Sequence, residues 1–199
     1  MNKKVSFQGE LGSYSHQALI EAIPDGEPLP CLSFKGAIDS VRGGDSTFAV
    51  LPVENSTYGR VADIHRLLPD SELFIVKEHF LRVRINLLAK TDVKISEVKS
   101  AVSHPVLLGQ CKNFLDKHDI KGVVGTDTAG SAQLVSRQND NTLAALASPL
   151  AAQIYNLNSL ASGIEDMTNN TTRFLVMSKD HTYPSPSSDL IITSVIFQV

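Results

Sequence analysis

The sequence predicts an α/β protein with mainly parallel sheets and flanking helices. Short apolar runs such as Thr47-Phe48-Ala49-Val50-Leu51 and Leu143-Ala144-Ala145-Leu146-Ala147 carry no charge, as expected of strands covered on both faces. Between such runs lie segments with apolar residues at helical spacing, for example Val61, Ile64, Leu67 and Leu68. Strand followed by helix, repeated along most of the chain, is the pattern of layered α/β folds. At 199 residues, 42% hydrophobic and 20% charged, the chain is long enough for one large or two small domains.

Taken in order, Val5-Ser6-Phe7 reads as a strand running into the loop Gly9-Glu10-Leu11-Gly12-Ser13-Tyr14-Ser15, with Ser13 or Ser15 capping a helix to about Ala22. Pro24 to Pro30 reads as a turn-rich connection and Leu32-Ser33-Phe34 as a strand end. Phe34 to Val41 is a helix, broken at Gly43-Gly44. The strand at Thr47–Leu51 ends in the polar loop Pro52 to Gly59, and Arg60 to Leu68 is an amphipathic helix whose His65 is structural. Leu73 to Leu81 and Arg82 to Ala89 are two strands with no helix between them, a break in rhythm where a chain crosses from one lobe to another. Val93 to Glu97 is a short helical or turn segment. Ser100-Ala101-Val102 is a strand ending at Ser103-His104-Pro105, and Pro105 opens a helix striped by Leu107, Leu108, Cys111, Phe114 and Leu115. Gly122 to Gly125 is a strand, and Asp127 or Thr128 caps a helix to Val135. Ser148-Pro149 opens a helix to Tyr155. Leu160 to Ile164 is a strand, and the polar run Asn169-Asn170-Thr171-Thr172-Arg173 reads as a loop feeding the strand Phe174 to Met177. Asp180 to Asp189 reads as a Pro/Ser-rich linker and Ile191 to Val199 as a strand.

Composition removes several function classes. A formal net charge of −3 without a block of like charge gives no reason to expect nucleic acid or an anionic membrane surface. No stretch is long and apolar enough to span a bilayer, and Gln8, Gly9 and Glu10 interrupt any secretory h-region, so a cytoplasmic location is expected. The two cysteines, Cys31 and Cys111, have no metal-ligand spacing and are expected as free thiols.

In parallel sheets ligands bind beyond the carboxyl ends of strands. That rule collects the loops at Ser13, Asn55, Ser103, Thr126 to Thr128, and Thr172-Arg173, all rich in Ser, Thr and Asn. They hold no clustered carboxylates or histidines for a metal, no Walker or dinucleotide glycine pattern, and no base facing a nucleophile, since His104 merely adjoins Ser103. Such a pocket orients a carboxylate ligand with neutral donors and one arginine fork. A binding protein and an enzyme needing little acid–base machinery both satisfy this pattern.

The motifs carry a resemblance. Gly9-Glu10-Leu11-Gly12-Ser13-Tyr14-Ser15, Pro52-Val53-Glu54-Asn55-Ser56 with Gly59, Ser103-His104-Pro105 with Gln110-Cys111, Asp127-Thr128-Ala129-Gly130-Ser131-Ala132 and Asn170-Thr171-Thr172-Arg173-Phe174 resemble, in family order, the segments of the prephenate dehydratase catalytic domain. Glu10 stands where the family has Pro, and Ser13 where it has Thr, which keeps the hydroxyl. The resemblance implies two lobes of the periplasmic-binding-protein type II kind with the active site in the inter-lobe cleft. The corresponding bounds are 1–76 with 172–180 for one lobe and 77–171 for the other. Residues 181–199 would be a linker and the first strand of a truncated, phenylalanine-binding ACT domain.

The implied reaction is the decarboxylating dehydration of prephenate to phenylpyruvate, in the cytoplasm, with no cofactor or metal and no nucleic-acid or membrane partner, by a homodimer or homotetramer. Implied roles are Thr172 as oriented proton donor to the departing hydroxyl and Arg173 as carboxylate partner or loop brace. Ser13, Asn55, Ser56, Ser103, Thr128 and Phe174 would be substrate-binding, with Glu54 and His104 in support. The alternatives are an arogenate or cyclohexadienyl dehydratase and a non-catalytic small-carboxylate binding module of the same fold.

Overall fold

The computed structural model describes residues 3–181. From the N-terminus the chain runs β1 (Lys3–Gln8), α1 (Tyr14–Ala22), β2 (Gly26–Cys31), α2 (Phe34–Gly43), β3 (Phe48–Asn55), β4 (Gly59–Arg60), α3 (Ala62–Leu67) and β5 (Phe74–Arg82). It continues as β6 (Asn86–Ala89), a short 3-10 helix (Ile95–Glu97), β7 (Ser100–Ser103), α4 (Pro105–Gln110), α5 (Lys112–Lys117), β8 (Lys121–Val124) and α6 (Thr128–Arg137). Then come β9 (Leu143–Ala147), α7 (Pro149–Ile154), β10 (Asn158–Ser162) and β11 (Thr171–Ser178). Among the described residues no helix is long and apolar enough to cross a membrane. The expectations for 182–199 lie outside the described residues.

The chain forms two compact units: one from the residues up to Gln8, Ala18–Leu81 and the described residues from Thr171, the other from Gly9–Gln17 and Arg82–Asn170. These bounds differ from the expected 1–76 with 172–180 and 77–171. β5 remains with the first sheet almost to its end, and Gly9–Gln17 is held by carbonyl contacts to Ser148 and Tyr155 of the second unit.

The first unit's sheet has the order β2-β1-β3-β11-β5, with β4 paired to β3 as a hairpin. β1 is parallel to β2 and β3, and β11 runs antiparallel to β3. The second unit's sheet has the order β10-β6-β9-β7-β8. Here β7 is parallel to β8 and β9, while β6 is antiparallel to both β9 and β10. Each sheet therefore sets a strand, β11 in the first and β6 in the second, antiparallel beside its parallel strands, and in each that strand comes from outside the parallel run in sequence.

The expected α/β class with flanking helices is borne out, and the uncharged runs explain themselves by side. In β9, Ala144 and Leu146 join the core of Leu87, Ala101 and Leu115, while Ala145 and Ala147 join that of Ala132, Val135 and Ala151. Period-2 alternation thus feeds two cores from one strand. In the first unit, Ala37, Ile38 and Val41 of α2 and Ile64 of α3 pack on Ala49, Leu51 and Val53 of β3 and on Leu175 and Met177 of β11.

Several local expectations are corrected. Pro24 to Pro30 is no mere connection, because Gly26–Cys31 is a strand whose Pro28 and Pro30 pair with Val5 and Phe7. It lies at the sheet edge, and prolines two apart put both missing N–H groups on one side. The expected single helix after Pro105 breaks at Cys111, whose φ/ψ of −117°/19° ends α4 and starts α5. The polar run Thr171-Thr172-Arg173 is already strand, since antiparallel pairing with the end of β3 supplies its ladder.

Candidate active site

The first unit assembles its site through one irregularity in the β3–β11 pairing. Leu175 lies opposite Leu51 and Phe174 opposite Pro52, but Arg173 lies opposite Glu54, so Val53 is an extra residue on β3. Proline at 52 has no N–H for the ladder, and a bulge beside it is the ordinary accommodation. The Val53 carbonyl accepts instead from Val61 N at 3.0 Å and lies 3.0 Å from His65 Nε2, which gives that histidine its structural place. The one-residue offset decides what faces what. Without it Thr172 would oppose Glu54; with it Thr172 opposes Asn55.

Asn55 Nδ2 donates to Thr172 Oγ1 at 2.9 Å, and Asn55 Oδ1 accepts from the backbone N–H groups of Thr57 and Tyr58 at 2.9 and 3.0 Å. The two backbone donors fix which end of the amide points at the threonine, so Thr172 Oγ1 receives a hydrogen bond and its own proton is directed elsewhere. Thr172 is at the amino end of its strand. Antiparallel pairing, not the carboxyl-end rule, brings it beside the carboxyl end of β3.

Arg173 donates through Nε and Nη2 to Glu78 Oε2 of β5, at 2.9 and 2.8 Å, with side-chain exposures of 30% and 21%. One carboxylate oxygen takes two donors, which braces the guanidinium on the sheet. Ser56 Oγ accepts from Thr171 N at 2.9 Å and Ser56 N donates to Thr171 O at 2.9 Å, so this serine locks the start of β11. Glu54 is exposed, opposite Arg173 on one side and Arg60 of β4 on the other. Phe174 is 1% exposed and belongs to the interior of the unit.

The second unit carries the other expected residues. Ser13 is half-buried, and its Oγ accepts from His16 N at 3.3 Å at the start of α1. His104 is exposed and caps α4, with Nδ1 accepting from Val106 N at 3.3 Å. Thr128 is the half-buried first residue of α6, which Asp127 caps by accepting from Gly130 N at 2.6 Å. Ser103 is fully buried, and its hydroxyl donates to Leu146 O at 2.7 Å. As the last residue of β7 it ties that strand to β9.

Burial, with Asp166 and Glu165 nearby, pushes the Cys111 thiol up to about 12. Among the described residues no three His, Cys, Asp or Glu side chains converge on a position for a metal ion. The first unit by itself offers an oriented hydroxyl and a braced arginine, which suit orientation and hydrogen bonding of a carboxylate ligand. Glu78 escaped the sequence reading, since nothing local marks a strand glutamate as the partner of an arginine far along the chain. His16, Ser148 and Tyr155 escaped it too, although Ser148-Pro149 was visible as a helix start.

Comparison with known proteins agrees with the motif order. The family model for prephenate dehydratase matches residues 5–182. The bifunctional N-acyl-homoserine lactone acylase/prephenate dehydratase of Komagataeibacter europaeus is 38% identical over 195 residues, covering 98% of this chain and 69% of the relative. The chloroplastic arogenate dehydratase/prephenate dehydratase 2 of Arabidopsis thaliana is 39% identical over 196 residues, covering 98% of this chain and 51% of the relative. The chain thus spans about half the length of that plant protein. Among solved structures, the prephenate dehydratase of Arthrobacter aurescens in complex with L-Phe superposes with a TM-score of 0.84 at 29% identity, over 92% of this chain and 63% of that one. By the matched span and these identities, the chain belongs to the prephenate dehydratase family, a family of hydro-lyases.

Proposed function

We propose that this chain converts prephenate to phenylpyruvate with loss of carbon dioxide and the ring hydroxyl. The observation that carries the reading is the Asn55–Thr172 hydrogen bond at 2.9 Å, set by the Val53 bulge. The ring carboxylate leaves as carbon dioxide, its bonding pair enters the ring, and the C–O bond to the ring hydroxyl breaks as the ring becomes aromatic. The departing oxygen gains charge and ends as water. Thr172, its oxygen already accepting from Asn55, donates its hydrogen bond to that oxygen. A threonine hydroxyl holds its proton far too tightly to give it up outright, so the proton that completes the water comes from solvent through this hydroxyl. Arg173, braced by Glu78, presents its remaining guanidinium donors to a substrate carboxylate. Within the first unit, Ser56 holds the start of β11, which carries Thr172 and Arg173. Within the second unit, Ser13, Thr128 and the exposed His104 are candidate donors for a carboxylate, and Ser103 ties β7 to β9.

Arogenate is the second reading, supported by the plant relatives named arogenate dehydratases. The repeated strand plan of the two sheets supports the periplasmic-binding-protein type of fold. We also propose a cytoplasmic location and a homodimeric or homotetrameric assembly, which light scattering checks. The test of function is turnover of prephenate and of arogenate by chelator-treated protein, with Thr172→Ala alongside. Turnover that collapses in the folded variant supports the reading. Binding of either ligand without turnover by the wild type overturns it in favour of a binding module.

A further inference from the structure

The glycine loop between β1 and α1 is held by side chains at Leu11 and Gly12. Gly9 and Gly12 have φ of 112° and 90°, in the left-handed region. A Cβ on Gly12 would stand 3.0 Å from Ala151 Cα and 3.4 Å from Tyr155 Cε2, so α7 lies directly on the loop. Ser148 Oγ donates to Gly12 O at 2.5 Å, Tyr155 Oη donates to Leu11 O at 2.7 Å, and Gly12 N donates to His16 Nδ1 at 3.0 Å. Ser148 is fully buried and also caps α7 through Ala151 N at 3.1 Å. Burial, with Glu10 and Asp127 nearby, raises the Tyr155 pKa, so its hydroxyl remains a donor across the physiological range. Asp127 in turn caps the helix that begins at Thr128, and Ser103 is tied to Leu146, two residues before Ser148. The segment from Leu146 to Tyr155 is thus the frame on which the Ser13 loop hangs, beside the loops of Ser103 and Thr128.

We propose that Ser148 and Tyr155 are positioning residues, which by holding the Gly12 and Leu11 carbonyls fix the direction of the Ser13 hydroxyl and the adjoining peptide N–H groups toward a substrate carboxylate. The inference rests on the proposed function for its ligand, not for its geometry. Neither residue meets the reacting atoms. Their loss therefore acts on binding of the carboxylate that the reaction retains, which is held equally in ground and transition states, and appears in KM.

The experiment compares full-length wild type, Tyr155→Phe, Ser148→Ala and Tyr155→Leu by steady-state kinetics on prephenate, thermal melting, and hydrogen exchange of the amides from Leu11 to Tyr14. Removing one hydroxyl that orders the loop raises KM roughly five- to tenfold and leaves kcat within about twofold. Exchange at these amides quickens in both single-hydroxyl variants, while Tyr155→Phe melts close to wild type and Tyr155→Leu does not. A folded Tyr155→Phe and Ser148→Ala pair with unchanged KM and unchanged exchange overturns the proposal, as does a fall in kcat alone. If the wild type turns over neither prephenate nor arogenate, the functional reading fails, and loop exchange still decides whether Ser148 and Tyr155 hold the loop.

Discussion

Replacing Asn55 with aspartate tests the site at its narrowest point. Asn55→Asp has nearly the same shape, and one carboxylate oxygen can still accept from Thr57 N and Tyr58 N as Asn55 Oδ1 does at 2.9 and 3.0 Å. The other oxygen replaces Nδ2, which donates to Thr172 Oγ1 at 2.9 Å. An oxygen there has no proton to give, so the Thr172 hydroxyl must turn its own proton toward it. The donor needed by the departing oxygen is then withdrawn, although no threonine has been touched. Losing one oriented donor to developing charge costs about 3 kcal/mol, so kcat falls roughly 10²- to 10³-fold. Stability changes by no more than about 1 kcal/mol because the turn bonds survive. The assay is formation of phenylpyruvate followed by its ultraviolet absorbance, with a thermal melt of each sample. A folded Asn55→Asp protein with kcat within twofold of wild type would refute the assignment of Thr172's proton to the ligand.

Other outcomes follow from the same geometry. Thr172→Ala folds and loses most of its turnover, whereas Thr172→Ser retains the hydroxyl and recovers much of it; comparing kcat of the two at matched melting temperature checks this. Glu78→Gln weakens the brace on Arg173, raising KM for prephenate while shifting stability by about 1 kcal/mol or less, as expected for a partly exposed pair. Gly12→Ala forces a side chain into the left-handed region against Ala151 and lowers stability by roughly 1–3 kcal/mol, read by denaturant midpoint. Burial lowers the His16 pKa from its ordinary 6.5, so the unfolded chain binds this proton more readily than the folded one. Its contribution to stability is complete above pH 6.5 and is lost as pH falls through the lowered folded value. Denaturant midpoints measured across that range lose this part of their slope in His16→Asn.

The strand–helix rhythm was legible because burial on both faces writes itself as uncharged runs, as in β3 and β9. The prolines hid β2, since in local terms they signal turns, and only its place at a sheet edge makes them harmless. The start of β11 read as a loop for a related reason. Thr171, Thr172 and Arg173 look polar, yet threonine suits a strand and the ladder partner was far away in sequence. Asn55 and Thr172 were both legible as donors, but their pairing depends on the bulge at Val53, and a one-residue offset between distant strands leaves no mark on either strand's composition. Ser103 and Phe174 stand out by motif position, while their burial shows only in the fold. Glu78, His16 and Tyr155 act through contacts that only the folded chain brings about.

The place of β11 between β3 and β5 has a consequence for how the protein is made. During synthesis β1 to β5 leave the ribosome long before β11, with Arg82–Asn170 of the second unit intervening. Until then the first sheet has a gap between β3 and β5, with strand edges unpaired and Leu51 and Ile64 lacking Leu175 and Met177 as neighbours. Sequence-distant closure of this kind is slow and exposes the nascent chain to mispairing and to chaperones. The strand that fills the gap is the one that carries Thr172 and Arg173. Completion of the sheet and arrival of the proposed Thr172 donor are therefore a single late event in the life of the chain.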